Sequence, residues 1–202
     1  MSRTRTAILI SGRGSNMMAL LAAAAADPAY PAAFVLVVSN RADAAGLAHA
    51  AAQGIPTAIV ESRGRSREAF EAELQAVLAA QRVELVALAG FMRVLTAPFV
   101  TRWQGRMVNI HPALLPAFKG LDTHARALAA GVAEHGCTVH LVSPGVDEGP
   151  ILAQAAVPVL PGDTESSLAA RVLAEEHRLY PAALARLAAT LAPTLAGDHG
   201  AA

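Results

Sequence analysis

The feature that most constrains this chain is an alternation that runs from residue 6 to residue 110. TAILIS (6–11), FVLVVS (34–39), TAIV (57–60), ELVALAG (84–90) and MVNI (107–110) have the composition of buried strands. Segments of helical pattern separate them, at 16–26, 43–54, 66–81 and about 98–103. Strands that are apolar at nearly every position are buried on both faces, which calls for a parallel sheet with helices on either side. The expected fold is α/β: a doubly wound, mostly parallel sheet with right-handed crossovers. The helix boundaries agree, since Ser66 stands as an N-cap and Gly54 as a C-terminal stop.

The pattern changes in the last third. CTVHLV (137–142) and ILAQAAVPV (151–159) are separated by a tight loop, so an antiparallel hairpin is expected at the sheet edge. A long helix from Thr164 to about Leu191 closes the fold, with Pro181 as a kink. Residues 1–192 read as one domain, long enough to bury a sizeable core, and 193–202 as a frayed tail.

Composition narrows the partners. Sixteen basic residues balance sixteen acidic ones, so the chain presents no net field toward nucleic acid or a membrane surface, and small molecules are the expected partners. The Ala-rich run after Leu20 stops at Asp27-Pro28, too short to span a bilayer, and the apolar core of the N-terminus (7–10) is too short for a signal peptide. One cysteine, Cys137, excludes an internal disulfide framework and suits a reducing cytoplasm. It lies in an apolar strand and reads as a packed thiol. The scattered histidines form no metal-binding spacing, so no metal is expected.

In doubly wound sheets, ligands bind beyond the C-terminal ends of the strands. That rule selects SGRGSN (11–16), AGFMR (89–93) and NIHP (109–112). The first has Gly12 and Gly14 where a strand turns into a helix. It is either a plain tight turn or a cradle whose free N–H groups receive a phosphate. It matches neither GxGxxG nor GxxxxGK[ST]. In the third, Asn109 and His111 interrupt an apolar run. They are either a strand-end Asn with a core His, or an amide donor beside a titrating imidazole, a pair suited to acyl or formyl transfer. In SPGVDEGPI (143–151), Asp147 and Glu148 are either turn residues or a source of a carboxylate for His111, orienting it and favouring its protonated form. Without a GxSxG elbow, transfer would be direct. The segment from Leu114 to about Arg126 shows no clear apolar period through Thr123 and is expected to be a mobile loop that closes over the site.

Together these segments closely resemble the formyltransferases that use 10-formyltetrahydrofolate, and among them the glycinamide ribonucleotide enzymes of purine synthesis. HPALLP and DEGPI mark the wider superfamily; SGRGSN and SREAF (66–70) narrow it. LAGFMRVL (88–95), EHGCTVHLV (134–142) and EEHRLYP (175–181) extend the match to about Tyr180. The resemblance implies a formyltransferase fold with a Rossmann-like N-terminal half and a catalytic trio of Asn109, His111 and Asp147. It implies that Gly14, Ser15 and Asn16 bind the substrate phosphate and that Glu176 contacts the ribonucleotide. It places Arg67, Met92, Arg93, Val94, Leu95, Asn109 and the 143–147 loop (Ser143, Pro144, Gly145, Val146, Asp147) at the folate. The co-substrate is then 10-formyltetrahydrofolate, and the assembly a monomer or homodimer. Hydrolases and sugar or transfer-RNA formyltransferases of the same superfamily are the alternatives.

Overall fold

Along the first strand, Ala7 and Leu9 enter one apolar cluster while Ile8 and Ile10 enter another, all four fully buried. The two-residue period of a strand sends alternate side chains to opposite faces, so this strand must have a layer on each side. The computed structural model describes residues 3–198, with side chains through residue 191. Its strands are β1 (Thr4–Ile10), β2 (Ala32–Ser39), β3 (Thr57–Ile59), β4 (Leu85–Leu88), β5 (Met107–His111), β6 (Glu134–Leu141) and β7 (Ile151–Pro158). They form one sheet of order β3-β2-β1-β4-β5-β6-β7. Pairing is parallel from β3 to β5 and antiparallel for β5–β6 and β6–β7, as the alternation and the late hairpin require.

The helices are α1 (Ser15–Ala26), α2 (Ala45–Ala52), α3 (Arg67–Ala80), α4 (Ala97–Arg102), α5 (Thr123–Ala129) and α6 (Glu165–Asp198). One cluster joins Met17 and Leu20 of α1 and Val172, Tyr180 and Leu184 of α6 to Ile8, Ile10 and Val108. The other joins Phe70, Leu74 and Leu78 of α3 and Phe99 of α4 to Leu9, Val38, Val86 and Met107. Tyr180 is fully buried, and its hydroxyl reaches the carbonyls of Leu88 (2.9 Å) and Val108 (3.2 Å), tying α6 to β4 and β5. Among the described residues, no helix is long and apolar enough to cross a membrane.

One expectation changes. Residues 123–129 form α5, although only Thr123 and Ala127 of this helix are buried, too few to mark an apolar stripe in sequence. The helix α6 runs through Pro181, whose carbonyl accepts the Tyr30 hydroxyl at 2.8 Å, and its helical backbone extends to Asp198. Residues 199–202 of the expected tail lie outside the described residues.

Candidate active site

The sheet reverses its winding at β1, which has β2 on one side and β4 on the other. A crevice is expected there. A cleft of about 360 Å³ occupies it, lined by the 11–16 turn, Asn40, Arg41, Ala89, Gly90 and Met92. Two of the three segments selected from sequence thus share one cleft. Gly14 opens α1 at φ 73°, and no side chain caps the helix, which leaves its first N–H groups open to a ligand. A Cβ on Gly14 would lie 3.1 Å from Met17 Cε and 3.3 Å from Gly46 Cα, so the turn is tight as well as left-handed. Behind it, Asn16 Nδ2 donates to Glu176 Oε2 at 2.7 Å, which brings α6 to the cleft. Burial raises the Glu176 carboxyl above its ordinary range against the opposing Asn16 bond, and buried Asn16 Oδ1 has no partner. Polar groups this poorly satisfied are characteristic of a binding site.

One strand further along, β5 ends in Asn109 and His111. The two point to the same face of the sheet, because they are two residues apart. His111 is buried; its Nε2 donates to the Phe118 carbonyl at 2.9 Å, and its Nδ1 lies 3.3 Å from Asp147 Oδ2. Both ring nitrogens therefore face oxygen acceptors. Asp147 Oδ1 lies 3.5 Å from His140 Nε2, and that same nitrogen lies 3.3 Å from Asn109 Nδ2. Burial alone would raise the Asp147 carboxyl. The His140 contact, the Gly120 N–H and the charges of His111 and His140 outweigh it and hold the group below the usual carboxylate range. An ionised carboxylate thus stands between two imidazoles, touching His111 directly and linked to Asn109 through His140.

The match to known proteins spans these residues. The family described as formyl transferase matches residues 4–184. The chain belongs to the formyl transferase family. The trifunctional purine biosynthetic protein adenosine-3 of Drosophila melanogaster is 51% identical over 187 residues, covering 92% of this chain and 14% of that protein. The chain therefore spans only a small part of the length of such relatives. It is 45% identical over 175 residues to the phosphoribosylglycinamide formyltransferase of Escherichia coli, covering 86% of this chain and 82% of the other. The crystal structure of the phosphoribosylglycinamide formyltransferase from Brucella melitensis superposes with a TM-score of 0.88 at 54% identity, covering 93% and 97% of the two chains.

The segment expected to be a mobile loop is docked on the trio. Besides the Phe118 carbonyl on His111, Gly120 N donates to Asp147 Oδ2 at 2.9 Å and Lys119 Nζ reaches Glu148 at 3.0 Å. Thr138 accepts Leu115 N (3.0 Å) and donates to the Ala113 carbonyl (2.6 Å), and Gln154 donates to the Leu115 carbonyl (2.9 Å). The expected folate residues divide. Arg67 stands exposed at the start of α3. Arg93 donates to the carbonyls of Ser62 and Arg65 and lies over the Phe70 ring, while Met92 and Val94 are exposed and Leu95 is buried. Ser143, Pro144, Gly145 and Val146 form the approach to Asp147, and Gly149 after it is packed so closely that a Cβ would meet the Leu141 carbonyl.

His140 was missed in sequence, where a lone His in an apolar strand reads as core. The signal that finds it is register: Asn109 pairs with His140 across β5–β6. His140 Nδ1 donates to the Leu141 carbonyl at 2.9 Å, which orients the ring and turns Nε2 toward Asn109 and Asp147. Cys137 is fully buried, and burial pushes its thiol up to about 12, as a packed core residue should behave. Among the described residues, no group of three or more His, Cys, Asp or Glu side chains is placed to hold a metal ion.

Proposed function

We propose that this chain transfers the formyl group of 10-formyltetrahydrofolate to the glycinamide amine of N1-(5-phospho-D-ribosyl)glycinamide, releasing tetrahydrofolate. The observation that carries the reading is the cluster of Asn109, His111 and Asp147 at the end of β5, one strand from a cleft whose helix start suits a phosphate. The names of the E. coli and Brucella relatives point the same way.

The phosphate rests against Gly14, Ser15 and Asn16, with Glu176 contacting the ribonucleotide. The 92–95 segment, Arg67, Asn109 and the 143–147 loop receive the folate. The neutral amine attacks the formyl carbon, and a tetrahedral oxyanion forms. Asn109 Nδ2 and the His111 N–H donate to that oxygen, where preorganised donors act most strongly because the charge appears only in the transition state. For this the Phe118 carbonyl, which now holds His111 Nε2, has to yield. Asp147 holds the imidazole and balances its charge. The attacking nitrogen loses a proton, the folate nitrogen gains one, and the bond from the carbon to that nitrogen breaks. The domain doing this spans residues 1–192, in a reducing cytoplasm that suits the one buried thiol.

The test is an assay of purified protein with both substrates, beside a control lacking the ribonucleotide. Formylated ribonucleotide is expected, with little formate in the control. Formate release at the same rate without the acceptor would instead make the chain a hydrolase.

A further inference from the structure

Helix α3 buries Phe70, Leu74 and Leu78 along one stripe, and beside them it buries Glu71, which is 6% exposed. A carboxylate at such a position is costly unless it is fully hydrogen-bonded. Both of its oxygens are used, and both by one residue: Oε1 accepts Thr96 N at 2.6 Å and Oε2 accepts Thr96 Oγ1 at 2.5 Å. Thr96 is the N-cap of α4 and directly follows the 92–95 segment.

The other end of that segment is held as firmly. Met92 N donates to Ser11 Oγ at 2.7 Å, and Ser11 Oγ donates onward to Asn40 Oδ1 at 2.6 Å. Between the two ends, Arg93 lies 4.8 Å over the Phe70 ring, and Phe70 stacks on Phe91 with centroids 6.3 Å apart. The side chains alternate: Arg93 and Leu95 turn inward, whereas Met92 is 72% exposed and Val94 53%. A backbone clamped at both ends that presents two apolar side chains to solvent is a surface ordered before its ligand arrives. Ordering it in advance removes a cost from binding.

We propose that Glu71 is a positioning residue for the formyl donor, fixing the 92–95 wall from behind through Thr96. The proposal rests on the folate reading of that wall given above. Glu71 touches no substrate, so its loss weakens donor binding and leaves the chemical step and the acceptor untouched.

The experiment compares wild type, Glu71→Ala, Glu71→Gln and Thr96→Val for kcat, for KM of both substrates, and for tetrahydrofolate affinity by calorimetry. Glu71→Ala is expected to raise the donor KM and the tetrahydrofolate Kd about tenfold with kcat and the ribonucleotide KM little changed, the mark of lost uniform binding. Gln keeps an acceptor for Thr96 N and offers an N–H to Thr96 Oγ1, so Glu71→Gln should stay within about threefold of wild type. Thr96→Val removes one of the two bonds and should weaken the donor about threefold, which keeps the test alive if Glu71→Ala fails to fold. Unchanged donor constants in folded Glu71→Ala or Thr96→Val, or an equal rise for both substrates, would overturn the proposal. A wild type that binds no tetrahydrofolate would remove the folate reading and the proposal together. A wild type that binds folate but formylates no ribonucleotide would remove only the acceptor, leaving the Glu71 assignment to the calorimetry.

Discussion

Asp147 has a backbone φ of 52°, in the left-handed region that few residues other than glycine adopt. An Asp tolerates it better than most, and the turn directs its carboxylate to His111, His140 and Gly120 N at once. Asp147→Asn keeps the size but offers one acceptor oxygen where the carboxylate offers two, and an amide N–H meets one of the imidazoles. Turnover is expected to fall about 10²–10³-fold, the scale of losing one preorganised group at a developing charge. Folate and ribonucleotide affinities should change far less, since that charge is absent from the ground state. Steady-state kinetics and calorimetry on one folded preparation check this; near-normal turnover would reduce Asp147 to a turn residue. At the cleft, Gly14→Val places a branched side chain at φ 73° within 3.1 Å of Met17. The ribonucleotide KM should rise at least about tenfold, with the donor KM less affected, because the left-handed turn alone costs a bulky residue about 1–2 kcal/mol. An unchanged KM in a folded variant would move the phosphate elsewhere. Asn109 and His111 were legible because two polar residues stand in an apolar strand end. Asp147 could not be joined to them by spacing, since the contact crosses from the β6–β7 turn to β5.

At the scale of elements, the segment from residue 114 through α5 carries a pH response. His135 on β6 is 1% exposed; the Phe118 ring lies at its edge at 5.7 Å and the His124 ring at 5.2 Å. Neither of its ring nitrogens makes a well-formed hydrogen bond, although the Pro112 carbonyl favours the charged form. Burial first, then the charges of His124 and His111, push it down to about 4. His124 is also lowered, by burial and by His111, against Glu165. A histidine depressed in the folded state stays neutral there while the unfolded chain takes up a proton. Stability is therefore full above about 6.5 and is lost as pH falls toward about 4. For His135 alone the loss approaches about 3 kcal/mol across that window. Opening residues 114–129 relieves it more cheaply than global unfolding, because few of their apolar side chains are buried. Hydrogen exchange at pH 7 and pH 5 should show these amides losing protection first. Uniform loss across the sheet would mean that the segment has no independence. This coupling was invisible in sequence, as was α5 itself: the element has almost no apolar stripe and is held by side-chain bonds such as Thr123 Oγ1 to the Pro112 carbonyl at 2.7 Å.

For the whole molecule, the sequence was most informative where burial on two faces forces a pattern. The five parallel strands and the hairpin are readable because their side-chain period is their environment. The order of strands is not, since nothing local says that β1 sits between β2 and β4. That order creates the cleft, and α6 then joins its parts from behind. Glu176 and Tyr180 lie one turn apart on α6, one bonded to Asn16 beneath the 11–16 turn and the other to the carbonyls of Leu88 in β4 and Val108 in β5. Residues four apart share a helix face, so both contacts depend on a single seating of the helix. Tyr180→Phe removes only the hydroxyl from a fully buried ring and keeps the packing. The net loss for one such hydrogen bond is about 1 kcal/mol. In a chain of this size that corresponds to a fall in Tm of about 2–4 °C. The hydroxyl reaches no substrate, so kcat at room temperature should hold, while any loosening of α6 should appear in the ribonucleotide KM through Glu176. Differential scanning calorimetry with parallel kinetics decides it. An unchanged Tm would mean that packing alone seats α6, and a loss of kcat with KM unmoved would mean that Tyr180 acts on Asn109 through β5 and not on the cleft.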